Sequence, residues 1–100
     1  MSLGFWEKLE KPFFVLAPLA DVTDAAFRRV IAKYGKPDVI WTEFVSADGL
    51  MSPGRKVLLN DLKYTEGERP IVAQLFSGHP DKMFGAAKLC KELGFDGIDI

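Results

Sequence analysis

Three observations predict an α/β protein on a parallel sheet. Apolar runs alternate with helical patterns in the order strand, helix, strand, linker, strand, helix, strand. The runs are almost wholly apolar, as strands covered on both faces are. Residues Phe13 to Arg29 pass from an apolar run, through a short turn, into a capped helix. That turn falls at the carboxyl end of a strand, where α/β enzymes place their chemistry. Two architectures satisfy the alternation: a doubly wound open sheet, or part of a (β/α)8 barrel, which needs about 250 residues when complete.

The elements follow in order. Residues 1–12 form a lead-in whose Phe5, Trp6 and Leu9 suit the base of a fold. Phe13 to Ala17 is an apolar strand ended by Pro18. Thr23 or Asp21 caps the helix that follows, with Asp24 in its first turn. Phe27, Val30, Ile31 and Tyr34 share one face of that helix, and Gly35 with Pro37 stops it. Val39 to Glu43 is the second strand, and Phe44 to Met51 is a loop or a short helical turn. Residues 55–69 read equally as a short helix or an irregular strand, followed by a polar turn. Pro70 to Phe76 is the third strand. Pro80 opens a helix at a position where its missing N–H costs nothing. Met83, Ala86, Ala87, Cys90 and Leu93 are its apolar stripe, and Gly97 to Ile100 begins a fourth strand.

One hundred residues suffice for one small domain. A formal net charge of −1 gives no global basic footprint for nucleic acid, although a local patch stays open. No apolar run approaches the roughly 18 residues of a membrane span. Met1 to Lys8 lacks the basic and apolar regions of a signal peptide. The single cysteine, Cys90, excludes an internal disulfide, and a reducing, cytoplasmic setting is the default.

Three polar residues interrupt the apolar strands: Glu43, Gln74 and Asp99. Burying an unpaired amide or carboxylate costs a few kcal/mol. Their positions near carboxyl strand ends therefore suggest a shared polar pocket. Gln74 is the strongest of the three, since an amide both donates to and accepts from a heterocycle edge. The small residues of the Ala17-Pro18-Leu19-Ala20 turn let backbone approach a planar ligand, or make a plain strand-to-helix turn. Asp24 and Arg28 are spaced as a solvated helix pair, with anion binding by Arg28 the lesser alternative. His79 reads as a cap or surface residue, and Cys90 as core rather than nucleophile. No glycine-rich phosphate loop follows the first strand, so Rossmann and P-loop assignments lack their binding element.

Together the motifs resemble the tRNA-dihydrouridine synthase family. Ala17-Pro18-Leu19-Ala20, Thr23-Asp24 and Phe27-Arg28 are similar to its Ala-Pro-Met-Ala, Thr-Asp and Phe-Arg signatures. Thr42-Glu43-Phe44-Val45-Ser46-Ala47 is similar to Ser/Thr-Glu-Met-Val-Ser-Ala. Pro70 to Gly78 is similar to Pro-x-x-x-Gln-Leu/Ile-x-Gly, and Gly97 to Ile100 to the start of Ile-Asp-x-Asn-x-Gly-Cys-Pro. Leu19 stands where the family usually has Met, a volume-conserving change.

The resemblance implies that residues 13–100 are the N-terminal portion of an FMN-binding TIM (β/α)8 barrel, about four strands of it. It implies a flavoprotein oxidoreductase of tRNA processing that reduces uridine in tRNA to 5,6-dihydrouridine, with NADPH or NADH as reductant. Pro18, Leu19 and Ala20 would line FMN through backbone groups, and Gln74 would hydrogen-bond the isoalloxazine. Ala17, Glu43 and Asp99 would support the pocket. Hydride would pass from the reduced flavin N5 to uracil C6, with a general acid protonating C5. The family's proton-donating cysteine would lie just beyond Ile100, so no catalytic residue is expected within the chain and the fragment alone is expected to be inactive. Other expectations compete: another FMN barrel of the dihydroorotate dehydrogenase kind, or a non-catalytic half-barrel that self-associates through open sheet edges.

Overall fold

The structure is a computed structural model that describes residues 4–100. The first three residues of the lead-in, and with them part of the signal-peptide expectation, lie outside the described residues. Four strands alternate with helices: β1 (Val15–Leu16), α1 (Ala25–Tyr34), β2 (Val39–Ser46), α2 (Ala47–Leu50), α3 (Arg55–Leu58), β3 (Ile71–Phe76), α4 (Pro80–Glu92) and β4 (Gly97–Asp99). Short 3-10 turns cover Gly4–Lys8, Leu59–Leu62 and Glu66–Glu68.

All strand pairs are parallel, and the sheet order is β1-β2-β3-β4. A doubly wound sheet reverses its order at a switch point, which leaves its first strand in the interior. Here each strand lies beside its predecessor. That is the order of neighbouring strands in the wall of a (β/α)8 barrel, and the sheet is compatible with part of one.

The two faces differ as the inside and outside of such a wall do. Val45, Ala73 and Leu75 face a core closed by Ala47 and Leu50 of α2, and by Ala86 and Cys90 of α4. Ile98 packs against the same core. On the other face, Trp41 aligns with Val72 and Val72 with Gly97, while Phe44 aligns with Gln74 and Gln74 with Asp99. These are the layers that a barrel interior stacks. The lead-in covers the lower layer. The Trp6 ring lies 5.9 Å from that of Trp41, and Phe5 stands against Gly97.

Several elements differ from expectation, each for a physical reason. β1 pairs over only two residues, and just before it Phe14 is tied to Asp38 through both its carbonyl and its N–H. The Phe14 N–H donates to Asp38 Oδ2 at 2.8 Å. β2 does not end at Glu43 but runs on to Ser46, across a bulge between Trp41 and Phe44. The N-cap of α1 is Asp24, whose carboxylate accepts from the Phe27 N–H. The predicted apolar stripe of α1 is largely open: Val30 is 55% and Tyr34 76% exposed. The side of α1 that packs carries Arg28 instead, drawn inward by Glu68. Among the described residues no helix is long and apolar enough to cross a membrane.

Candidate functional site

The polar residues singled out in the strands meet on the inner face of the sheet. Asp99 Oδ2 accepts from Gln74 Nε2 at 2.9 Å and from Trp41 Nε1 at 3.1 Å. Both bonds follow from register, since Gln74 and Asp99 are partners across β3 and β4. The carboxylate also settles which end of the amide faces it, because it accepts only from the nitrogen. One N–H of Gln74 and its carbonyl oxygen are then left without a hydrogen bond among the described residues.

The bulge in β2 arranges the neighbouring groups. Two residues, Thr42 and Glu43, stand opposite Ala73 alone. Such an extra residue disrupts the ladder and re-aims side chains. Here the Thr42 hydroxyl repairs the ladder: its oxygen accepts the Gln74 N–H at 3.1 Å and its O–H donates to the Glu43 carbonyl at 2.9 Å. Glu43 is thereby directed toward the loop after β1, where its carboxylate accepts the backbone N–H of Asp21. Glu43 is thus tied to the β1 loop and not to the Gln74–Asp99 pair.

The β1 loop is tightly bonded. The Leu19 N–H donates to Thr23 Oγ1 at 2.9 Å, and the Leu19 carbonyl accepts from the N–H groups of Val22 and Thr23. Asp21 has φ +62°, a left-handed conformation that aspartate tolerates better than most residues. Ala17, Pro18, Leu19 and Ala20 therefore sit at the carboxyl end of β1, where the sequence puts them, with the Leu19 backbone already used within the loop.

A second polar group lies at the carboxyl ends of β2 and β3. The Ser77 hydroxyl donates to Asp48, and His79 Nδ1 lies 2.8 Å from Asp48 Oδ2. The Ser77 bond, with His79 and Lys82 nearby, holds the Asp48 carboxyl below its ordinary value. His79 occupies the N-cap position of α4 but makes no side-chain cap bond. Cys90 is fully buried on the helix side of the sheet, and burial pushes its thiol up to about 11. A concavity of about 610 Å³ between α4 and β4 also opens on that side, lined by Phe84, Ala87, Phe95 and Ile98, away from the Gln74–Asp99 pair.

Sequence reasoning missed Trp41 and Thr42. A signal existed for both: an indole N–H and a hydroxyl in an otherwise apolar parallel strand each need a partner.

Sequential parallel strands, with a polar cluster on one face and the helical core on the other, define a barrel-wall α/β protein. The family model described as dihydrouridine synthase (Dus) matches residues 15–100. The chain belongs to the dihydrouridine synthase family. It is 43% identical to a Bacillus subtilis (strain 168) protein named probable tRNA-dihydrouridine synthase 2, over 100% of this chain and 31% of that protein. It is 37% identical to a probable tRNA-dihydrouridine synthase of Staphylococcus aureus (strain COL), and 36% identical to one of Staphylococcus epidermidis, with the same coverage. The chain thus spans 31% of the length of these curated relatives.

Proposed function

We propose that this chain is part of the flavin-bearing barrel of a tRNA-dihydrouridine synthase, with residues 13–100 as the N-terminal portion of the barrel domain and residues 1–12 as a lead-in. The single observation that carries the reading is the family match over residues 15–100, a span that contains the β1 loop, β2, β3 and β4. The substrate is uridine in tRNA, and NADPH or NADH is the external reductant. The reading takes the cytoplasm as the setting of that substrate.

The residues present fit FMN. An isoalloxazine edge alternates donors and acceptors, and Gln74 keeps one N–H and one carbonyl oxygen for it. Asp99 fixes the amide in the orientation that offers both. Ala20, whose backbone makes no hydrogen bond among the described residues, offers a free peptide at the β1 loop. Pro18 and Leu19 lie beside it, and Ala17 and Glu43 support the loop from the strand side. When bound and reduced by the nicotinamide nucleotide, FMN would supply the hydride for reducing the uracil 5,6 double bond. A proton must then reach C5 to complete the saturated bond. Cys90 does not deliver it, since its thiol is fully buried in the core between the sheet and α4, on the face opposite the Gln74–Asp99 pair. That proton is assigned to a cysteine outside these residues.

The test is expression of the whole open reading frame that contains this chain. A visible flavin spectrum that bleaches with NADPH and recovers with tRNA lacking dihydrouridine is the expected result, with the product read as a two-hydrogen mass gain on uridine. A protein that takes up no FMN overturns the reading.

A further inference from the structure

We propose that Glu68, Arg28 and Thr23 form a buried relay that holds the Leu19–Ala20 segment in one ligand-ready conformation, which makes Arg28 and Thr23 positioning residues for the flavin site. The inference rests on the reading that this loop faces FMN.

Arg28 and Glu68 are both fully buried. Two charges taken out of water are costly unless every donor and acceptor is met. Here they are met in a particular direction. Arg28 Nε donates to Glu68 Oε1 at 2.9 Å, and Nη2 donates to the Lys63 carbonyl at 2.6 Å. Nη1 donates to the Thr23 carbonyl at 2.9 Å. The other Glu68 oxygen accepts from the Thr65 N–H at 2.7 Å and its hydroxyl at 3.0 Å. The pair is therefore anchored in the linker before β3 and reaches the β1 loop through Thr23.

Thr23 is 1% exposed, and its polar groups pass the constraint on. Its N–H donates to the Leu19 carbonyl at 3.0 Å, and its Oγ1 accepts the Leu19 N–H at 2.9 Å. A bridge that only fastened α1 to the linker would need no bond to Thr23. From the opposite flank Glu43 holds the Asp21 N–H. Leu19 and Asp21 are thus clamped by buried side chains from two directions, with the unengaged peptide of Ala20 between them. Support from behind is how a binding group is kept in a fixed direction.

The test uses the protein encoded by the whole reading frame. Thr23→Val keeps the branched shape and deletes the hydroxyl, while Thr23→Ser keeps the hydroxyl. Arg28→Lys keeps a charge opposite Glu68 and loses the bond to Thr23, and serves as the second variant if Thr23→Val does not fold. Thr23→Val and Arg28→Lys are expected to raise the FMN dissociation constant by about tenfold or more. Thr23→Ser is expected to restore it. Hydrogen exchange should quicken in residues 18–22 of the weakened variants and stay unchanged in β3. Unchanged affinity with unchanged exchange in the 18–22 segment overturns the relay. If the parent protein takes up no FMN, the flavin reading falls separately. Exchange then decides the relay: faster exchange confined to residues 18–22 supports it, and unchanged exchange overturns it.

Discussion

Cys90 shows how burial decides the chemistry of a single residue. Its thiol is enclosed by the core between sheet and α4, and desolvation raises its pKa from 9.0 to about 11. The thiolate is the reactive form, so Cys90 should resist a disulfide reagent at pH 8 until the protein unfolds. A sign follows for stability. The folded state holds the proton more tightly than the unfolded state. The contribution is therefore complete below pH 9.0 and is lost as pH rises through about 11. Its size is on the order of 3 kcal/mol. Urea titrations across that range should show the slope, and Cys90→Ala should flatten it. The core role of this residue was legible from its place on a helical stripe. Arg28 was not legible in the same way. Its spacing from Asp24 suggested a solvated pair, but its partner Glu68 is forty positions away, and nothing local announces it.

At the scale of elements, existence and order were readable because alternation and helix caps are local signals. Boundaries were not, because side-chain bonds to distant residues take part in them. The Asp38 carboxylate takes the Phe14 N–H beside β1, and the Thr42 hydroxyl takes the Gln74 N–H where β2 bulges and runs on. The sequence also placed Glu43, Gln74 and Asp99 in one pocket. Register joins Gln74 to Asp99, while the bulge sends Glu43 to the β1 loop. Thr42 is fully buried, and its hydroxyl oxygen is the acceptor for the Gln74 N–H where the ladder is interrupted. Thr42→Val keeps the shape and strands that donor. A loss of about 1–3 kcal/mol is expected in a urea titration, together with faster exchange of the Gln74 amide.

At the scale of the whole molecule, the sheet separates a helical core from a layered inner face. The lead-in belongs to that inner face. A side chain at Gly97 would meet Phe5 and the Val72 methyl at 3.3 Å from its first carbon alone. Gly97→Val should therefore push the lead-in away from the sheet, at a cost of about 1–3 kcal/mol. Trp6 would leave Trp41, and tryptophan emission should shift to the red. The β2 bulge has a different kind of consequence. In a regular strand, losing one residue turns every later side chain to the opposite face. Between Trp41 and Phe44 the strand already carries one residue more than its partner. Loss of a single residue there would leave Trp41 and Phe44 aligned with Val72 and Gln74, and Val45 still in the core. The surplus is a reservoir of chain length: the place in β2 where deleting a single residue keeps the layers in register, at the cost of the cap on Gln74 or the clamp on Asp21.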